Sequence, residues 1–184
     1  MDYCSIQDFH NALHDTGHFA TIRPHYIEGL CRTTHFAECR AVVESCDVLL
    51  HAPITNKAMA LAERAYAILH GERGELIGNF TILHRELNSH TSIILEDIPQ
   101  GEILESAMLT MSQDKLLSGL KEFEARMRRA DISHNNLRKQ NIVVDRNGYW
   151  HPIRLYYTTI GYGGDSSELE TLYAEIKRVA PVDD

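Results

Sequence analysis

The chain has 184 residues, 43% of them hydrophobic and 24% charged, with a formal net charge of −8. A chain this long buries about 70% of the surface its unfolded form exposes, and its composition excludes wholesale disorder, collagen-like repetition and a disulfide-dense miniprotein. The sequence holds no run of about 18 uncharged apolar residues that would span a bilayer, and its acidity argues against nonspecific nucleic-acid binding.

Met1-Asp2-Tyr3-Cys4 has neither the basic nor the apolar region of an export signal, so a cytoplasmic protein is expected. Cys4, Cys31, Cys39 and Cys46 form no Cys-x-x-Cys pair and are expected as reduced thiols. Ser5 to Leu13 predicts a short helix ended by Asp15-Thr16-Gly17. From His18 to His51 the β-formers Tyr26, Ile27, Phe36, Val42, Val43, Val48, Leu49 and Leu50 predict an antiparallel sheet with two hairpins, broken at Gly29 and near Ser45.

Pro53 and Asn56 then open a helix to about Leu69, with Ala58, Leu61, Ala62, Ala65, Tyr66, Ile68 and Leu69 on one face. Leu76–Leu83 and Thr91–Leu95 predict two paired strands, and Pro99-Gln100-Gly101 a turn. A second helix is expected over Ser112–Arg129, with Leu116, Leu120, Phe123 and Met127 as its core stripe. Asn147-Gly148 predicts a type I′ turn joining strands over Ile142–Asp145 and Trp150–Tyr156. A last helix starts near Asp165-Ser166-Ser167, carries Leu169, Leu172, Tyr173, Ile176 and Val179 on its apolar face, and stops at Pro181. The order predicts an α+β fold: a β-rich region over 1–98 containing the helix 56–69, then a mainly helical region over 99–184, together one compact domain.

The stretch Ile132-Ser133-His134-Asn135-Asn136-Leu137-Arg138-Lys139-Gln140-Asn141-Ile142-Val143-Val144-Asp145 resembles the catalytic loop of the protein-kinase-like superfamily, H-x-D-L-x-x-x-N followed by a short apolar strand. His134, Leu137 and Asn141 stand at the family's spacing, with Asn136 in place of the catalytic Asp. Ser92 to Glu102 looks like the strand and hinge joining two kinase lobes. The helix after it looks like the long helix that precedes the catalytic loop. Helix 56–69, with Glu63 in its middle, looks like the regulatory helix of the first lobe, and the helix from Ser167 like the buried one that follows the activation segment. The resemblance implies a two-lobed kinase-like fold with a minimal second lobe, because only 28 residues follow Tyr156.

Departures from the pattern bear on activity. Arg154-Leu155-Tyr156 aligns with the Asp-Phe-Gly segment whose Asp holds magnesium, and His51 falls where the family has its phosphate-pairing lysine. No Gly-x-Gly-x-x-Gly loop precedes it. Asn136 accepts a hydrogen bond but takes no proton at neutral pH, and loss of a general base costs about 10²–10⁴ in rate. An arginine for an aspartate inverts the charge where a dication should sit. The resemblance therefore implies a pseudokinase: a binding or regulatory module for a protein partner, with no cofactor, no metal and no catalytic residue. Its degenerate site would comprise His51, Glu63, His134, Asn136, Asn141 and Arg154. Arg154, through its guanidinium fork, and His51, if protonated, would receive a nucleotide or other anion without metal.

Two other functional classes remain open from the sequence. One is an atypical phosphotransferase for a small molecule, using Asp145 or Asp165; the other is an α+β domain unrelated to kinases. Elsewhere, His10, His14 and His18 are expected as a polar stripe. Arg126, Arg128 and Arg129 are expected to complement a helix dipole, and Asp165-Ser166-Ser167-Glu168 is expected to cap a helix.

Overall fold

Strand-forming residues dominate the stretch from Tyr26 to Pro53, and in the computed structural model they form β1 (Tyr26–Arg32), β2 (Phe36–Val43) and β3 (Cys46–Pro53). The structure describes residues 26–32, 36–43, 46–53, 55–69, 80–84 and 92–179. The expected helix over Ser5–Leu13 and the His10, His14 and His18 series lie outside them. The described residues group into two compact units, one within 26–67 and 80–98, the other within 68–69 and 99–179.

The first unit is built on a five-stranded antiparallel sheet in the order β1-β2-β3-β5-β4, where β4 is Phe80–His84 and β5 is Ser92–Asp97. Pairing of β2 with β3 is unbroken from Phe36↔Pro53 to Val43↔Cys46. The β1–β2 register shifts between Glu28 and Cys31, where Gly29 stands. Side chains alternate across a sheet, so Ala37, Cys39, Ala41, Val48 and Leu50 share one buried face. Phe36, Glu38, Leu49, His51, Ile94 and Glu96 share the other, also buried. A sheet covered on both sides must satisfy any polar group it buries.

Between β3 and β4 runs α1 (Asn56–Leu69). Thr55 caps it: its Oγ1 accepts from the Ala58 N–H at 3.0 Å, and its carbonyl accepts from the Met59 N–H. The small face of Ala58, Ala62 and Ala65 is fully buried.

The second unit combines β6 (Glu102–Ile103), α2 (Leu104–Thr110), α3 (Gln113–Ala130), β7 (Ile132–Ser133), β8 (Ile142–Val144), β9 (Trp150–Pro152), β10 (Thr159–Ile160) and α4 (Ser166–Arg178). β6, β8 and β9 form one antiparallel sheet, and β7 pairs with β10. Helix α3 packs on α4 and on β9. Its stripe of Leu116, Leu120, Phe123 and Met127 is buried as the spacing predicts, and burying each such side chain contributes about 1.5–3 kcal/mol. Gly119 lets α3 approach the hairpin, because a Cβ there would lie 2.5 Å from Trp150 Nε1 and 2.6 Å from the Gly148 carbonyl oxygen. On α4, Leu169, Leu172 and Ile176 are buried, whereas Tyr173 is 47% exposed.

The α+β class therefore holds, with antiparallel sheets, while three local expectations need correction. Helix α2 was not expected; it begins after Ile103, which supplies no side-chain cap, so the usual start signal is missing. The Asn147-Gly148 turn is not type I′, which needs two positive φ angles; only Gly148 has one, at 86°. Asp145 sets this turn instead: its carbonyl accepts from the Gly148 N–H, and its Oδ1 accepts from the Asn147 and Tyr149 N–H groups at 2.8 and 3.0 Å. The strand expected over Trp150–Tyr156 ends at Pro152, because Arg154 adopts φ 62° and ψ 51° and a 3₁₀ turn follows over Leu155–Tyr157.

Candidate functional site

Within the second unit, the chain from Ile132 to Asn141 is a loop held by backbone-directed hydrogen bonds. β7 fixes its start by pairing Ser133 with Thr159 and Ile132 with Ile160. His134 follows and is 1% exposed. Its Nε2 lies 2.9 Å from the Ile153 carbonyl oxygen, an acceptor, which places the proton on Nε2. The imidazole thereby ties the loop to the residue before Arg154. Leu137, 2% exposed, anchors the loop's middle.

Asp165 is the loop's second fixture. It stands immediately before α4, the N-cap position, yet its carboxylate makes no capping bond to that helix. Instead Oδ2 accepts from the His134 N–H and Oδ1 from the Asn135 N–H, both at 2.6 Å. The expectation of a helix cap at Asp165 is thus corrected: these amides lie close enough to take both carboxylate oxygens. Asn135 has φ 61° and points Nδ2 at the Ser133 carbonyl, the Tyr157 carbonyl and Thr159 Oγ1, at 3.1, 3.1 and 2.8 Å. Burial and the adjacent charge of Asp165 raise the pKa of Glu168 above the usual carboxylate value.

The returning chain is sewn to the same loop. Asp131 accepts from Gly161 N–H through its carbonyl at 2.8 Å and from Tyr162 N–H through Oδ1 at 3.1 Å. Ser133 Oγ donates to the Gly161 carbonyl at 2.6 Å and accepts from the Gly164 N–H at 2.9 Å.

Asn141 joins the loop to Arg154. Its Nδ2 donates to the Asn136 carbonyl at 2.8 Å, and its Oδ1 accepts from Arg154 Nη1 at 2.6 Å. Its carbonyl accepts from the Ile153 N–H at 2.9 Å, and Arg154 Nη1 also lies 3.4 Å from the Gln140 carbonyl. The left-handed backbone of Arg154 costs about 1–2 kcal/mol for a residue with a Cβ, and these bonds hold it there. Of the six expected site residues, the structure brings His134, Asn136, Asn141 and Arg154 together. Asn141 offers a side-chain oxygen that would suit a cation, and a guanidinium already bonds it. A dication there would sit beside a positive charge.

His51 and Glu63 belong to the first unit. The His51 ring is 0% exposed; Nε2 lies 3.0 Å from Glu96 Oε2 and Nδ1 lies 3.6 Å from Glu38 Oε1. The ring is enclosed and already faces two carboxylates. Glu63 is exposed on α1 and forms no ion pair with the described residues.

The carboxylates of the alternative phosphotransferase reading are also occupied. Asp165 holds two amides, and Asp145 holds the hairpin turn and lies 3.3 Å from His151 Nε2. Burial alone would raise the Asp145 pKa, but hydrogen bonds from Tyr149, His151 and Asn147 bring it below the usual carboxylate value. The arginine cluster on α3 is engaged within its own unit. Arg128 bonds Glu124 at 3.0 Å and lies 4.8 Å over the Tyr162 ring, Arg129 bonds Glu122 at 3.2 Å, and Arg126 bonds the Trp150 carbonyl. Among the described residues, no group of His, Cys, Asp and Glu has the geometry to hold a metal ion, and no helix is long and apolar enough to cross a membrane.

In the sequence Asp165 stood out as a helix cap and as a candidate catalytic carboxylate; its hold on the loop, like the role of Asn135, was not legible there. Asp165 acts across 31 positions, which no local pattern reports. Asn135 did carry a signal, since Asn tolerates the left-handed region better than most residues. No protein-family model matches the chain, and no curated protein matches it.

Proposed function

We propose that this chain is a degenerate, kinase-like domain of two lobes with a minimal second lobe, acting as a binding or regulatory module for a protein partner and not as a phosphotransferase. Support for the kinase-like part is the order of elements along the chain. Strands β1 to β3 precede α1, β4 and β5 follow it, and then come α3, the 132–141 loop, the β8–β9 hairpin, Arg154 and α4. The loop is held by hydrogen bonds, with His134 bound to Ile153 and its backbone to Asp165.

The observation that carries the inactive reading is the 2.6 Å bond from Arg154 to Asn141. Phosphoryl transfer depends on charge neutralisation by metal ions. Here the amide oxygen aligned with a metal ligand accepts from a cation, and the residue aligned with the general base is Asn136. A protein partner is preferred to nucleic acid because the chain is acidic and two of its three clustered arginines, Arg128 and Arg129, are paired with glutamates. A metal-free anion site at Arg154 belongs to the same proposal, because a planar guanidinium fork suits phosphate.

The test is a sensitive phosphotransfer assay with Mg²⁺ or Mn²⁺, alongside nucleotide titration in excess EDTA. Turnover at background level is expected. Robust turnover abolished by Asn136→Ala or Asn141→Ala overturns the binding-only reading. Absence of nucleotide binding at millimolar concentration in EDTA removes the anion site while leaving the module reading intact.

A further inference from the structure

The sequence holds a single Asn-Gly pair, Asn147-Gly148, and the fold sets it at the tip of the β8–β9 hairpin. The two residues sit differently. Asn147 is exposed, whereas Gly148 is buried and its N–H donates to the Asp145 carbonyl at 2.9 Å. Asp145 Oδ1 also accepts from the Asn147 and Tyr149 N–H groups, at 2.8 and 3.0 Å, so one residue closes the turn from both its backbone and its side chain. Gly148 has φ 86°, and the space where a Cβ would stand is bounded by the Lys115 side chain at 3.3 Å and Met111 at 3.8 Å.

A glycine that follows an asparagine leaves its peptide nitrogen open to the asparagine side chain, because it has no Cβ to stand in the way. We propose that Asn147 is a self-modification site, at which the Gly148 nitrogen attacks the Asn147 side-chain carbonyl whenever the Asp145 turn opens. The Gly148 amide gives its proton to solvent base, its nitrogen bonds to Asn147 Cγ, and the side-chain nitrogen leaves as ammonia. Water then opens the succinimide ring so formed. Cleavage of the new N–Cγ bond gives an aspartate. Cleavage between the Gly148 nitrogen and the Asn147 carbonyl carbon gives an isoaspartate, whose main chain runs through the side-chain carbons. The net change is uptake of one water and loss of one ammonia, with nothing oxidised or reduced.

The closed turn opposes the first step, because an N–H that donates to Asp145 must give up that bond before it loses its proton. Opening of the turn is therefore the gate. Either product then hinders its closing. Each adds a carboxylate beside Asp145, whose own carboxylate lies 2.8 Å from the Asn147 N–H, and like charges repel at that range. Lys115 and Arg146 line the adjoining concavity, but both are exposed and offer the new charge only screened partners. The isoaspartate also lengthens the main chain by one carbon and displaces the Gly148 carbonyl, which α3 approaches closely at Gly119. A converted chain keeps a loosened hairpin, so the modification marks its age.

The experiment incubates the intact chain at mildly alkaline pH, in native buffer and in guanidinium chloride. It follows the peptide containing position 147 by mass and by separation of its aspartate and isoaspartate forms. Both forms are expected, accumulating at least about tenfold more slowly in the folded chain, because the closing bonds include two to a carboxylate. Asp145→Ala should raise the folded rate severalfold, and Asn147→Gln should stop the modification over the same interval, because its attack needs a larger ring. No conversion at 147 in either solvent, equal rates in both, or a folded rate that Asp145→Ala leaves unchanged overturns the proposal. If Asp145→Ala does not fold, Asp145→Asn, which keeps one acceptor oxygen, should still convert faster than the parent chain, and a rate equal to the parent's overturns the proposal as well.

Discussion

Replacing Asp165 tests the construction of the 132–141 loop most directly. The side chain is 3% exposed and its two oxygens accept from two successive amides at 2.6 Å, within the short range of charge-assisted bonds. A hydrogen bond to a charged group contributes about 1.5–3 kcal/mol. Asp165→Asn keeps one acceptor oxygen and turns an NH₂ towards the other amide, so one bond is lost and two donors face each other. The expected cost is about 2–4 kcal/mol, which a domain of ordinary stability, about 5–15 kcal/mol, survives. Asp165→Ala removes both acceptors and should cost more. Urea unfolding at neutral pH measures the loss, and amide hydrogen exchange at His134 and Asn135 locates it. A cost below about 0.5 kcal/mol with both amides still protected would refute the assignment, because ordinary surface substitutions fall in that range.

Two further outcomes follow from packing and burial. Gly119→Ala drives a methyl group against Trp150 and the Gly148 carbonyl; overpacking costs about 1–3 kcal/mol, partly offset by the better helix propensity of alanine. A net loss of about 1–2 kcal/mol is expected, with altered emission from the single tryptophan, and a stabilised variant with unchanged emission would count against the close approach. Cys39 is 3% exposed, and burial, aided by the Glu38 charge, pushes its thiol up to about 12. Iodoacetamide near pH 8 should spare it in the folded chain and label it after unfolding, as peptide mapping would show; labelling in the folded state at a free-thiol rate would contradict that burial.

How much of this could be seen in the sequence depends on the range of the forces involved. Helices α1, α3 and α4 came from apolar spacing, because each buries one face. The β8–β9 hairpin came from its turn residues, although Asp145 and not Asn147 sets the turn type. Helix α2 escaped notice because it is short and uncapped. His134, Asn136, Asn141 and Arg154 were singled out by their spacing, and hydrogen bonds join them in the structure. What the sequence withheld were pairings between distant positions: Asp165 with the loop amides, and Glu38 and Glu96 with His51. Neither glutamate looked buried, because an acidic residue inside a strand carries no local sign of the partner that neutralises it. The burial of His51 between them was missed for that reason.

The passage from Thr158 to Asp165 works as a ruler. Asp131 and Ser133 mark off Gly161, Tyr162 and Gly164 along it, and its far end must deliver a carboxylate to two amides. Lengthening it by one residue would carry that carboxylate about 3.3 Å along the chain, more than a hydrogen bond tolerates. Insertions accumulated over evolution, or tags placed by an engineer, should therefore be far better tolerated at the exposed hairpin tip around Arg146 and Asn147.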